Sequence, residues 1–240
     1  MPCVSAVGTR PPDPTTGSLA ERAYYALRHR LLTLVIPPGG LIQEDRLCAE
    51  LGLGRTPVRE AIKRLEAEHL VVVYPRRGTF ATEMDIADHA LIADVRRHLE
   101  ALAAERAAEQ MTRSDEAGLR SLRRDIDAID SIDSIDPAQR DALMLLDGRL
   151  HQAIYKATHN AYLETTLAQY YNLALRLWYV FIERLEDVHG HVEGHAGLVD
   201  AILARDGATA RALAARHVED FERAVLEVEL QTIPLTPGRP

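Results

Sequence analysis

Strand-forming sequence is confined to one place in this chain. Leu70-Val71-Val72-Val73-Tyr74 is a β-branched run, Pro75-Arg76-Arg77-Gly78 a turn, and Thr79-Phe80-Ala81-Thr82 a returning strand, so the pattern predicts one small hairpin. From Asp85 onward no strand pattern appears. Apolar residues recur instead at helical spacing over 85–110, 114–131, 138–157, 161–186, 191–205 and 208–229. Such a chain must be mainly α, with the hairpin an accessory to whatever precedes it.

What precedes it is a set of short helices. Leu19, Ala23, Ala26, Leu27, Leu31 and Leu34 are spaced by three and four, which predicts a first helix from Leu19 to Val35 with Ser18 as its N-cap. Pro37-Pro38-Gly39-Gly40 ends it, a second helix runs from Glu44 to Leu51, and Gly52 closes that. The third, from Arg55 to Leu65, has Pro57 in its first turn and Val58, Ile62 and Leu65 on one face. Three short helices followed by a hairpin with a basic tip is the order of a winged helix-turn-helix. The rest forms an antiparallel α-helical bundle, punctuated by Asp136-Pro137, Asn160 and Asp206-Gly207. The expected boundaries are a tail at 1–17, the winged domain at 18–83, the helical domain at 84–230 and a tail at 231–240.

Charge divides the chain in the same way. The net charge of -8 argues against nucleic acid, because a binder must bring cations to phosphates. Residues 1–84, however, hold 11 Lys and Arg against 9 Asp and Glu, whereas residues 85–230 hold 16 against 27. The acidity belongs to the helical domain, which leaves the first domain free to approach DNA. Cys3 and Cys48 indicate no disulfide framework, in keeping with a cytoplasmic setting. The Pro-rich first residues lack the apolar core of a signal peptide, and Leu173–Leu185 is interrupted by Arg176 and Glu183, so it reads as a bundle helix, not a membrane span. The run from Asp125 to Asp136 alternates Ile with acidic residues and reads as an apolar stripe with a solvated face.

Leu51-Gly52-Leu53-Gly54-Arg55-Thr56-Pro57-Val58-Arg59-Glu60-Ala61 and Pro75-Arg76-Arg77-Gly78-Thr79-Phe80 closely resemble the GntR family of bacterial regulators, over Ser18 to Thr82. Arg55 and Thr56 stand at the start of the third helix, where a recognition helix presents residues to base edges, and Arg59 follows one turn on. The resemblance implies that Arg55 and Arg59 contact guanine edges or adjacent phosphates, Thr56 a phosphate, and Arg46 the DNA backbone. It makes Arg77 and Gly78 the wing tip, close to the minor groove. The family usually has glycine where Val35 and His69 stand, so the first and third helices are expected to end differently here.

The helical part is similar to the ligand-binding (FCD) domain of the FadR-type branch of that family. The match runs through Val95-Arg96-Arg97-His98-Leu99-Glu100, Asp147-Gly148-Arg149-Leu150-His151, Asn160, Glu193-Gly194-His195 and Ala215-Arg216-His217. Asp147 and His151 are i and i+4, so one helix face offers a carboxylate and an imidazole a turn apart. His195 and His217 fall on two later helices, and bundles build metal sites from inward ligands on several helices. Three imidazoles and a carboxylate suit zinc, with nickel, iron and manganese the other candidate occupants. His191 competes with His195 and is left as a second-layer or effector-facing group. His29, His69, His89, His98, His159 and His189 read as surface or core residues.

The resemblance also places Arg96 at an effector pocket, where a guanidinium would grip a carboxylate; its other reading is a surface ion pair with Glu100. Arg176, which interrupts an apolar face of Leu173, Leu177 and Val180, is the second effector candidate. The implied protein is a homodimer on a pseudo-palindromic operator, a repressor released by a small organic acid at the metal. Two other readings stay open: a metal-dependent enzyme fused to a DNA-binding head, for which Glu193 is the one near-site base, and a purely structural metal. Against the enzyme, the sequence has no His-Glu-x-x-His, phosphate-cradling Gly loop or nucleophile elbow.

Overall fold

The structure, a computed structural model, describes residues 17–84, 86–128, 137–181 and 188–232. Most of both expected tails, the second half of the Asp/Ile run and the end expected for the 161–186 helix lie outside these residues. The head comprises α1 (Leu19–Leu32), β1 (Leu41–Ile42), α2 (Glu44–Leu51), α3 (Arg55–Ala67), β2 (Val71–Tyr74) and β3 (Gly78–Ala81). At the start of α1 the Ser18 hydroxyl accepts from the Glu21 N–H and the Glu21 carboxylate accepts from the Ser18 N–H. Two otherwise orphaned donors are thereby satisfied. Leu27 and Leu31 of α1 bury against Val58, Ile62 and Leu65 of α3, the apolar face read from the sequence.

The hairpin pairs Val72 with Phe80 and Tyr74 with Gly78. A third strand was not anticipated: Leu41 pairs with Phe80, giving the sheet order β1-β3-β2. Two residues are too few to show a period-2 alternation. α1 stops at Leu32, short of the expected Val35. The chain turns left-handed at Leu34 (φ 58°), and the Ile36 N–H donates to the Arg30 carbonyl at 2.9 Å. After α3 the same left-handed conformation falls on His69 (φ 60°). Contrary to the expectation that these helices end differently, both ends make the turn a glycine would make, the first on Leu34 and not on Val35, at a steric cost of about 1 kcal/mol each.

The helical domain comprises α4 (Ile86–Gln110), α5 (Arg113–Asp127), α6 (Pro137–Ala157), α7 (Ala161–Phe181), α8 (Val188–Glu193), α9 (His195–Leu203) and α10 (Gly207–Thr232). Asn160 caps α7 by accepting from the Tyr162 and Leu163 N–H groups, and Asp206 caps α10 through the Thr209 N–H. The single helix expected over 191–205 is two, α8 and α9, with Gly194 between them. α4 and α10 pack closely through Ala103, Ala104, Ala107, Ala210 and Ala214, and they are antiparallel, since Glu105 pairs with Arg211 and Arg97 with Glu219. Among the described residues no helix is long and apolar enough to cross a membrane.

α7 is where the two parts meet. Arg28 of α1 donates to the Asn172 side chain, and one turn on Arg176 donates to Thr82, just after β3, through Nη1 to the hydroxyl at 2.6 Å and Nη2 to the carbonyl at 2.8 Å.

Candidate metal centre and DNA-reading face

Asp147 and His151 project from α6, His195 from the first residue of α9 and His217 from α10. One ligand atom from each lies within 4.8 Å of the other three. Asp147 and His151 are each 2% exposed and His195 is fully enclosed. His151 Nε2 and His195 Nε2 are 3.3 Å apart, and Asp147 Oδ1 is 3.7 Å and 3.5 Å from them. Two ligands about 2.1 Å from a shared tetrahedral centre sit about 3.4 Å apart, so this spacing is that of a ligand set.

The surrounding bonds aim these atoms inward. His151 Nδ1 lies 3.1 Å from Glu100 Oε2, and His195 Nδ1 lies 3.3 Å from the Val192 carbonyl, so with Nδ1 donating in each ring Nε2 is left to present a lone pair to a metal. Tyr171 Oη donates to Asp147 Oδ2 at 2.7 Å, whereas buried Asp147 Oδ1 has no hydrogen-bond partner. Two imidazole Nε2 atoms facing one another beside a carboxylate oxygen without a hydrogen-bond partner among the described residues are a set that a cation satisfies, and the donor set therefore fits a divalent metal.

Electrostatics agree. Burial works to raise the Asp147 carboxyl, but His151, His191 and His195 hold it well below the ordinary carboxylate range. Burial lowers His195 to about 3, and burial with the neighbouring imidazoles drives His217 well below its usual value. His151 is the exception: burial would lower it, but Glu100 and Asp147 raise it.

His191, on α8, is as close as the ligands: its Nε2 is 3.6 Å from Asp147 Oδ1, and its ring centroid is 4.3 Å from that of His217. The sequence hint for it was its spacing from His195, yet Gly194 separates their helices, so convergence of α8 and α9 brings the two rings together. Tyr171 and Tyr155, which orient the site with Glu100, and Trp178 and Phe221, which stack at 5.1 Å beside His191, carried no sequence signal, and Glu100 was read only as a partner of Arg96. Glu193 and His189 have side chains outside the described residues.

Arg96 lines this chamber with Asp147, His151, Tyr171, Trp178, His191, His217 and Phe221. Its pair with Glu100 is made, at 2.5 Å, but in the bundle core and not at the surface. Burial would raise the Glu100 carboxyl, but Arg96 and His151 hold it down at about 2. The chamber has a cavity volume of about 10 Å³, the space of about one water. Arg176 is not part of its wall; the structure commits that side chain to Thr82, which corrects the expectation that it faces the same pocket.

In the head, Arg46, Arg55, Arg59 and Gly78 line one open groove with Glu44, Asp45 and Thr79. Arg55 and Arg59 project from the start of α3 with side chains 67% and 62% exposed. Each is held by an acid of α2, Arg55 by Asp45 at 3.1 Å and Arg59 by Glu44 at 2.8 Å, and Arg46 pairs with Glu50 at 2.7 Å. Thr56 is exposed in the first turn of α3. Arg77 stands apart, 5.7 Å from the Tyr74 ring in a separate hollow beside Phe80. The α3 N-cap is Gly54, which makes no side-chain bond to the helix start.

Comparison with known proteins matches residues 19–81 to the bacterial regulatory proteins of the gntR family and residues 91–220 to the FCD domain. An HTH-type transcriptional regulator in an unstable DNA locus of Streptomyces ambofaciens is 34% identical over 130 residues, 52% of this chain, which spans 55% of that protein's length. The HTH-type transcriptional repressor RspR of Escherichia coli is 22% identical over 217 residues, 89% of this chain and 91% of the repressor. Among solved structures, E. coli McbR/YncC has the same fold, with a TM-score of 0.73 at 23% identity over 90% of this chain and 99% of that one.

Proposed function

Because the chain belongs to the gntR family of bacterial regulatory proteins and carries an FCD domain, we propose that it is a DNA-binding transcriptional regulator responding to a small molecule held in its helical domain. The observation that carries this reading is the groove in which the exposed arginines of α2 and α3 meet the wing glycine. Exposed ion pairs are weak. Phosphates and base edges therefore replace Glu44, Asp45 and Glu50 readily when the groove closes on DNA. Arg55 and Arg59 read base edges, Arg46 and Thr56 hold the backbone, and Arg77 and Gly78 bring the wing to the minor groove. The uncapped N–H groups at the start of α3 add a phosphate site. Two copies of the chain, related by a two-fold axis, match a pseudo-palindromic operator.

Asp147, His151, His195 and His217 hold a divalent ion, zinc by the chemistry of the donor set. When bound, the ion would supply a positive charge to which a carboxylate entering the chamber is drawn. Arg96 faces the same chamber, and its guanidinium, shared with Glu100, orients that carboxylate. With room for about one water, the chamber admits an organic acid only when its Trp178, His191 and Phe221 walls move. Tyr171 and Trp178 lie on the chamber side of α7, whereas Asn172 and Arg176 of the same helix hold the head. A shift of α7 on effector binding is thereby passed to the DNA-binding heads. By linkage, an effector releases the operator only if it prefers the DNA-free form.

The test is selection of operator fragments from random duplexes, followed by binding titrations with and without zinc and a panel of small carboxylates. Sequence-specific, salt-sensitive binding that weakens with one acid is the expected result. Absence of any specific duplex overturns the reading. Steady conversion of the acid would favour the fused-enzyme alternative.

A further inference from the structure

The polar contacts between the two parts of the molecule leave one feature that the metal chamber does not explain. Arg176 is 2% exposed, yet among the described residues its guanidinium bonds only to the hydroxyl and carbonyl oxygens of Thr82, and its Nε has no partner there. Among the described residues no carboxylate pairs with it. Burial lowers its pKa to about 10, so it remains charged at neutral pH. Arg96, equally enclosed, has Glu100 against it. A buried cation facing neutral oxygens is costly, and an anion placed against it would offset that cost.

There is space for one. Arg176 lines an open cleft of about 440 Å³ between the head and the helical domain, walled by Ile92 and Val95 of α4 and Leu173 and Leu177 of α7. Apolar walls around a single fixed cation are the usual makeup of a site for a small organic acid, and the volume lies in the range of about 300–1,000 Å³ of such sites. Glu83 and Asp88 line the same cleft and would repel a second negative charge on the ligand. We propose that this interdomain cleft is a second ligand site, distinct from the metal chamber, which takes an amphipathic monocarboxylate with its carboxylate on Arg176 and its apolar body between α4 and α7.

The site joins both parts of the chain. His69 and Thr82 belong to the head side of the cleft, and Thr82 is the group whose bonds to Arg176 a carboxylate competes with. Occupancy therefore loosens one of the clasps holding the head to α7. A monocarboxylate at this cleft acts on the heads whether or not the metal chamber is occupied, so the two sites can be told apart by variants.

The test titrates the full-length, zinc-loaded protein with hexanoate and with its neutral analogue hexanamide, followed by ligand-observed NMR. Hexanoate binds and hexanamide binds at least about tenfold more weakly, the loss expected for one charge-assisted contact. Arg176→Gln reduces hexanoate binding to the level of the amide, and Arg176→Lys restores part of it. His217→Ala, which opens the metal chamber, leaves hexanoate binding intact. If Arg176→Gln fails to fold, Leu91→Glu carries the test: Leu91 lines the cleft, is 68% exposed, and a carboxylate there weakens hexanoate several-fold without disturbing the core. Equal binding of acid and amide, unchanged binding by Arg176→Gln, or loss of binding in His217→Ala alone would each overturn the proposal. So would failure of hexanoate to bind while Arg176→Gln shifts self-association in sedimentation, since a second copy of the chain would then cover the cleft.

Discussion

If Arg59 reads the operator, its acid partner should work against binding. Arg59 is 62% exposed and holds Glu44 at 2.8 Å, and both line the groove that would face DNA. An exposed pair of this kind contributes little to folding, so releasing the arginine costs little when DNA arrives. Arg59→Ala loses a base or phosphate contact and should weaken specific binding about 5- to 30-fold. Glu44→Gln does the opposite: it frees the guanidinium and removes a negative charge from the phosphate-facing groove, so binding should tighten about 2- to 5-fold. Fluorescence anisotropy with a selected operator across a salt series reads both effects. If Arg59 touches a phosphate, its loss flattens the log–log salt slope by about one; if it touches a base, the slope is unchanged and discrimination between operators falls. Arginines that merely solvate α3 would leave both variants at wild-type affinity, and that pair of results would refute the assignment.

Two further predictions concern the helical domain. His195→Ala or His217→Ala should lower zinc affinity at least about a hundredfold, and Tyr171→Phe about tenfold by freeing Asp147 Oδ2, whereas exposed His98→Ala should change nothing; full metal content in both ligand variants, by elemental analysis, would sink the site. His89 is 1% exposed, neither ring nitrogen has a partner, and burial, helped by Arg96, lowers its pKa to about 4 from 6.5. The unfolded chain then binds the proton more readily, so the penalty is absent above about pH 6.5 and grows to about 2–3 kcal/mol as pH falls to 4. His89→Leu should accordingly gain stability over wild type as metal-free samples are acidified through that window, and a difference constant with pH in calorimetry would contradict this.

The head was legible where its helices and its hairpin have local punctuation. Ser18 caps α1, Gly52 takes the left-handed turn after α2 (φ 63°), and the single β-branched run becomes β2. What escaped was β1, two residues long, and the left-handed turns on Leu34 and His69, side chains that do not announce such a conformation. In the helical domain the i, i+4 spacing of Asp147 and His151 placed two candidate ligands on one face, and the family likeness picked out His195 and His217 as the others. Their convergence is a tertiary fact. So are the inward aim conferred by Glu100 and Tyr171, which lie 47 and 24 residues before and after Asp147, and the break at Gly194 that swings His191 toward the carboxylate.

The polar side chains inside the helical domain also bear on why it has this core. Arg96, Glu100, Asp147, His151 and His195 are all buried at the centre of the bundle, where apolar residues of similar size would be neutral or more stabilising. Arg96 and Glu100 neutralise one another and fix the His151 ring, so their charge is spent on orientation. Among the described residues Asp147 Oδ1 has no such internal answer, and neither has Arg176 Nε in the cleft. The unanswered groups have opposite character: lone pairs in the chamber call for a cation, and a guanidinium between the domains calls for an anion. Since α7 carries Tyr171 against the first and Arg176 against the second, the two deficits are mechanically joined through one helix. On the proposals made above, a ligand that answers either deficit would act on the helix that holds the head.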